Sequence, residues 1–260
     1  MKNRILSVVI SILIANGASA RTTYNEGQTP IKKDTLTVMS YNVHNCKSMS
    51  GQFDIESIAR VINKQNPDIV AVQELDSMTT RHPKFVLAEI ARLTNLTPTY
   101  LPTINYSGGK YGIGLLTRNK PQAITKVHLA DSSEPRGIIV AEFSGYTMIA
   151  THLGLDENDR LAQIDTIQRL TPNCIKPALL AGDLNFTPES EAFVKLAKDF
   201  KPLNDITEKT FPADNPKVAI DYIMISRCCE VEVLHREVVN EPNASDHRPV
   251  VVKITGQRKN

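Results

Sequence analysis

The side chains best suited to chemistry fall in two short polar clusters, Gly182-Asp183-Leu184-Asn185 and Ser245-Asp246-His247-Arg248-Pro249. Carboxylates, an amide and an imidazole brought together can hold a divalent cation and direct water at phosphorus. Other polar residues close apolar runs in the same way: Asn42 in SYNV, Glu74 in IVAVQE, His152 in MIATH and Asp221 in VAIDY. Binding and catalytic groups tend to occupy loops held by a rigid scaffold. Taken together, these residues therefore read as one candidate site. Each also has a plain structural alternative. Asn42 could stabilise a turn, Glu74 could sit in a surface ion pair, and His152 and Asp221 could be satisfied core or capping groups.

For these residues to meet, the segments between them must form strands and helices. Leu36 to Val43 predicts a strand. Ile55, Ile58, Ala59 and Ile62 make one helical stripe, closed by Asn66-Pro67. Ile69 to Val72 predicts a short buried strand with Glu74 just beyond it, and Pro83 suits the first turn of a helix reaching Leu93. Strands follow over Tyr111 to Thr117, Ala123 to Leu129, Gly137 to Phe143 and Tyr146 to Thr151, with Ser144-Gly145 as a hairpin turn. A helix from Glu157 to Leu170 precedes the strand Ala178 to Ala181, which delivers the first cluster. A helix near Glu189 to Ala197 and strands over Ala219 to Ile225, Glu230 to Val238 and Pro249 to Ile254 complete the order. No composition shift divides residues 35–256, which read as a single domain. Mixed helical crossovers and hairpins suit two packed sheets flanked by helices.

The N-terminus stands apart. Lys2 and Arg4 precede an apolar run from Ile5 to Ala15, and Ala18-Ser19-Ala20 reads as a small-residue cleavage site. Residues 1–20 are expected to be a secretory signal peptide, residues 21–34 a flexible lead-in, and the protein exported to a periplasm or secreted. No later segment approaches the roughly 18 apolar residues of a transmembrane helix. The chain has 30 basic and 28 acidic residues, and loss of Lys2 and Arg4 makes the two equal. That balance gives no general attraction to nucleic acid. A monomer is expected. Cys46, Cys174, Cys228 and Cys229 form no metal motif and allow three disulfide pairings, among which the sequence does not choose. Cys228 and Cys229 would face opposite ways if they lay in a strand.

In order and spacing, Tyr41-Asn42, Gln73-Glu74, Tyr111-Gly112, Thr151-His152, Gly182 to Asn185, Ile220-Asp221-Tyr222 and Ser245 to Pro249 span nearly the whole chain. The set resembles the endonuclease/exonuclease/phosphatase superfamily of metal-dependent phosphoesterases. The resemblance implies an α/β fold, a DNase I-like four-layer sandwich of two packed mixed β-sheets flanked by helices. It gives Glu74 the role of principal metal ligand, aided by Asn42 and Asp246. Asp183 and Asn185 would position the attacking water and the scissile phosphate, and Asp221 would orient His247 as the catalytic histidine. His152 would contact phosphate or serve in acid catalysis, and Tyr111 would lie beside the leaving group. Arg136 and Arg81 are further candidates to clamp an anionic substrate. An oxygen-rich ligand set without thiolate favours Mg²⁺, with Mn²⁺ as a substitute.

The first expectation is thus an exported phosphoesterase acting on a mono- or diester. An extracellular nuclease would want a basic cleft, of which this composition, without tryptophan, gives no sign. A sphingomyelinase-like lipid phosphodiesterase would want a membrane-docking segment, and none is evident in the sequence. The rival from another class is a non-catalytic binding protein on the same fold. It would be favoured by loss of one of Glu74, Asp183, Asn185, Asp221 or His247, all of which are present.

Overall fold

The apolar runs pair into two six-stranded sheets in the computed structural model, which describes residues 35–171 and 176–256. The expected signal peptide, the lead-in over 21–34 and Cys174 lie outside the described residues. Sheet one has the order β11 (Val231–Val238), β12 (Val250–Gly256), β1 (Thr35–Asn42), β2 (Ile69–Ser77), β4 (Gly109–Thr117) and β3 (Thr97–Tyr106). Sheet two has the order β5 (Ala123–Leu129), β6 (Arg136–Glu142), β7 (Thr147–His152), β8 (Ala178–Asp183), β10 (Asp221–Ser226) and β9 (Phe200–Pro202). Each sheet is mixed. β1 and β2 are parallel, as are β7 and β8, while the other pairs run antiparallel.

The parallel pairs need crossovers. α1 (Ile55–Gln65) joins β1 to β2, and α3 (Glu157–Leu170) joins β7 to β8. Local chemistry fixes where these helices begin. The Asp54 carboxylate accepts the Ser57 N–H at 2.8 Å, and the Asp156 carboxylate accepts those of Asn158 and Asp159, satisfying donors that have no partner within the helix. Asn66 ends α1 in the left-handed region.

Period-two alternation then divides the core. Val70 and Val72 of β2 face Ile58 and Ile62 of α1 and Ile90 of α2 (Val86–Thr94). Their neighbours Ile69 and Ala71 face the opposite way, into the layer between the sheets with Leu115, Ile139 and Ile223. Sheet two repeats the pattern: Ile138 and Leu180 pack under Ile164 and Ile167 of α3 and Leu196 of α4 (Glu191–Leu196). Three apolar layers hold four layers of structure, and strands buried on both faces explain the near-continuous apolar runs.

Several boundaries differ from the sequence reading. β2 continues through Glu74 to Ser77 instead of stopping at Val72. The second helix starts at Val86, because Met78 N–H bonds to Lys84 O and Ser77 bridges to Phe85, which holds the preceding stretch as a loop. β3 was not foreseen. Cys228 and Cys229 lie in a turn after β10 rather than in a strand; Cys228 is disulfide-bonded, and Cys46 and Cys229 are free.

Candidate active site

Strand register assembles the site. His152 of β7 is paired with Asp183 of β8, and Asp183 with Asp221 of β10. Directly opposed residues send their side chains to the same face, so a histidine and two carboxylates form one row across sheet two. In sheet one Asn42 ends β1 opposite Gln73. The β2–β4 register then shifts between Val72 and Leu75, and Glu74 adopts φ 62°. Such a bulge bends a strand and re-aims its side chains. Here it brings the half-buried Glu74 carboxylate against Asn42 rather than into the β4 ladder.

Asn42 connects the two sheets. Its Nδ2 donates to Glu74 Oε1 at 2.9 Å and to Asp183 Oδ2 at 3.0 Å, and lies 3.5 Å from His247 Nε2. Its Oδ1 accepts the His44 N–H, and its main-chain oxygen accepts the Ser245 hydroxyl at 2.8 Å. His247 Nδ1 lies 2.9 Å from Asp221 Oδ2, while its Nε2 stands 3.7 Å from Asp183 Oδ2. On the other side, His152 Nε2 is 3.5 Å from the same Asp183 oxygen. Arg136 Nη1 lies 3.4 Å from His152 Nδ1. A guanidinium only donates, so Nδ1 accepts and the His152 proton sits on Nε2, facing Asp183.

These contacts split the ionisation of neighbouring groups. Burial and the charge of Asp221 push Asp183 up to about 7, against the pull of His247 and the Asn42 hydrogen bond. Burial alone would lower His247, yet Asp221 and Asp183 reverse this and raise it to about 10. His152 is held well below the usual histidine range by burial, then by Arg136 and His247. At neutral pH the site holds one imidazolium, one neutral imidazole and a carboxyl group near its midpoint. That is a proton-transfer arrangement.

The remaining predicted residues gather around this centre to different degrees. Asn185, with φ 52°, donates its N–H to Asp183 Oδ1 at 3.0 Å and its Nδ2 to Leu153 O at 2.9 Å. Asp246 is raised by burial against the pull of His247 and His44, and Glu74 raises it further. Tyr111 is hydrogen-bonded to Glu74, and its hydroxyl is raised by burial and by that carboxylate. Arg136 is buried, bonds Glu134 Oε1 at 2.7 Å and leaves its Nε without a partner. Arg81 is held by Asp76, through Nε at 2.7 Å and Nη2 at 3.0 Å, and lies over the rings of Tyr106 and, at 5.7 Å, Tyr111.

Two supporting residues, Thr210 and Phe211, were not singled out from sequence, and Ser245 stood in the second cluster without a role of its own. Ser245 ties the His247 loop to β1, Thr210 Oγ1 accepts the N–H groups of Ile220 and Asp221, and the Phe211 ring lies 4.7 Å from that of His247.

A cation fits this donor set. Asp221 Oδ1 is buried without a hydrogen-bond partner, and Glu74 and Asp246 repel each other across a site whose donors are oxygens. Asp183, Asp221 and His247 also lie with their polar atoms mutually within 4.8 Å, but His247 as imidazolium has no lone pair for a cation, so this group serves proton transfer beside the ion.

Comparison with known proteins agrees with this architecture. The model of the Endonuclease/Exonuclease/phosphatase family matches residues 39–247. A DNA-(apurinic or apyrimidinic site) endonuclease of Dictyostelium discoideum is 24% identical over 181 residues, 62% of this chain. The match spans 45% of that protein, so the chain corresponds to less than half of it. An endonuclease/exonuclease/phosphatase structure from Bacteroides vulgatus superposes with a TM-score of 0.71 at 16% identity, covering 86% of this chain and 100% of the other. A mannosyl-6-phosphatase from Bacteroides thetaiotaomicron gives 0.67 at 17% identity, covering 85% and 99%. At these identities the structural likenesses establish the fold, the expected DNase I-like sandwich.

Proposed function

The chain belongs to the endonuclease/exonuclease/phosphatase family, and from that premise we propose that it is a divalent-cation-dependent hydrolase of a phosphate mono- or diester, working after export. The observation that carries this reading is the buried row His152–Asp183–Asp221, closed by His247 and joined to Glu74 through Asn42. A purely structural domain would have no use for two adjacent buried carboxylates, each desolvated at considerable cost.

Glu74, with Asn42 and Asp246, would hold Mg²⁺ or Mn²⁺. Bound there, the ion supplies positive charge against that developing on the phosphoryl oxygens. The protein's own groups do the rest. Asp183, near its midpoint at neutral pH, takes a proton from water held beside Asn185. His247, kept as imidazolium by Asp221, donates from Nε2 to a phosphate oxygen and, being already protonated, has no lone pair with which to act as the base. Neutral His152 keeps Asp183 oriented, and Arg136 adds a second fixed positive charge behind it. Water attacks in line, and one P–O bond forms as the bond to the leaving oxygen breaks; that oxygen departs with the electron pair and takes a proton from solvent, while the proton lost from water resides on Asp183.

Purified protein should cleave bis-p-nitrophenyl or p-nitrophenyl phosphate when Mg²⁺ or Mn²⁺ is supplied and stop on chelation. No cation-dependent turnover across mono-, di- and pyrophosphate esters would return the chain to the non-catalytic binding reading. Export is tested separately, by fractionating producing cells and sequencing the mature N-terminus, expected to begin at Arg21.

A further inference from the structure

Among the described residues, five of the ten exposed large apolar side chains stand at one end of sheet one: Met49, Phe53, Met78, Phe85 and Tyr106. They belong to three loops that leave the sheet beside the site. The first follows Asn42, the second follows β2 beyond Glu74, and the third is the β3–β4 hairpin tip, whose register with β2 puts it at the same end. The loops form one surface. The Phe53 ring lies 4.7 Å from that of His82, the Thr80 N–H donates to Ser107 O at 2.8 Å, and Met49 N–H bonds the segment that carries His247.

Their charge is one-sided. Residues 44–53, 77–85 and 105–110 contain no aspartate or glutamate, yet present the exposed cations Lys47, Lys84 and Lys110. The flanking acids are already engaged, since Asp54 caps α1 and Asp76 pairs with Arg81. Phe85 also borders an apolar cavity of about 180 Å³, lined by Val86, Leu87, Pro98 and Tyr100 among others. Contiguous apolar surface on a soluble domain marks an interaction site. Apolar side chains set among cations suit the boundary between anionic headgroups and acyl chains. A nucleic acid would use the cations and the rings, but would leave the methionines and the apolar cavity without a purpose.

We infer that this end of sheet one docks on an anionic phospholipid surface, bringing the hydrolytic site against phosphoesters held there. The docking stands on the surface itself, while a lipid headgroup as substrate rests on the hydrolysis proposed above. Flotation of the full protein with vesicles of phosphatidylcholine, with and without an equal share of phosphatidylglycerol, tests it. Retention should require the anionic lipid and weaken with salt. Lys84→Ala should lower partitioning about fivefold and Met78→Ser or Phe85→Ser about tenfold or more. Val194→Ser, at an exposed apolar position on α4, should change nothing. Turnover of a soluble diester should stay at the wild-type rate in all four variants, which also verifies that they fold. Failure to float, equal retention on neutral vesicles, indifference to the Met78 and Phe85 changes, or tighter binding to DNA in parallel titrations would each overturn the docking. Persistent flotation without hydrolysis of any ester would sink the catalytic reading and leave the docking in place.

Discussion

A single carboxylate, Asp183, stands between two histidines in opposite ionisation states. Asp221 makes His247 an imidazolium, while Arg136 and burial keep His152 neutral. Asp183→Asn preserves shape but removes the proton acceptor, so kcat should fall about 10²–10⁴-fold. The same substitution has a pH signature. Asp183 is raised to about 7 and His247 to about 10. A raised folded value favours the protonated native state. The stability each contributes is therefore complete below its unfolded value, about 3.9 or 6.5, and is lost as pH rises through the folded one. With cations chelated, the thermal midpoint of wild type relative to Asp183→Asn should fall between pH 5 and pH 9. A relative midpoint that rises over that range contradicts the assignment. The residues of the row were legible in sequence because each ends an apolar run. What sequence withheld was engagement: Arg81 reads as a free cation until Asp76 is seen to hold it, and Ser245 and Thr210 act only through folding.

At the scale of elements, position depends on how closely strands approach. Gly182 immediately precedes Asp183, and a Cβ there would collide with the backbone oxygen of Thr151 on the neighbouring strand. Backbone cannot step aside as a flexible side chain can. Gly182→Ala should therefore spread β7 from β8 just where His152 faces Asp183, destabilising the fold by about 1–3 kcal/mol and lowering kcat. Gly145→Ala, at a hairpin turn with open space around it, is the matched control and should leave both unchanged. Equal effects of the two, read by denaturant melts and initial rates, would remove the close-approach argument. Most elements were readable because their period was: α1 carries its stripe, and β7 and β8 are short apolar runs. β3 was missed because Pro98 and Pro102 interrupt its pattern. An edge strand tolerates prolines, whose lost N–H groups need no ladder partner on the open side. The extension of β2 was missed for a related reason, since the bulge at Glu74 breaks strict alternation.

Over the whole molecule, the site is divided between the sheets. The groups suited to a cation, Glu74, Asn42 and Asp246, belong to sheet one and the loop entering β12, whereas His152, Asp183 and Asp221 belong to sheet two. The apolar layer between the sheets, with Asn42 reaching Asp183 and His247 reaching Asp221 across the divide, sets one half against the other. Ile139 is fully buried in that layer on β6, the strand that Arg136 opens, and is itself no part of the site. Ile139→Ala should lower stability by about 2–5 kcal/mol, a large share of the roughly 5–15 kcal/mol typical of a folded domain. The denaturant midpoint should move with an unchanged slope. The consequence for function should be unequal. Cation affinity, followed through the rise in thermal midpoint with added Mg²⁺, should hold within a few-fold because its residues move together. Turnover should fall by up to about 100-fold, because the halves shift relative to each other and the substrate must touch both. If affinity and turnover declined in step, the partition between sheets would be wrong, and cation and proton acceptor would have to be read as one rigid unit.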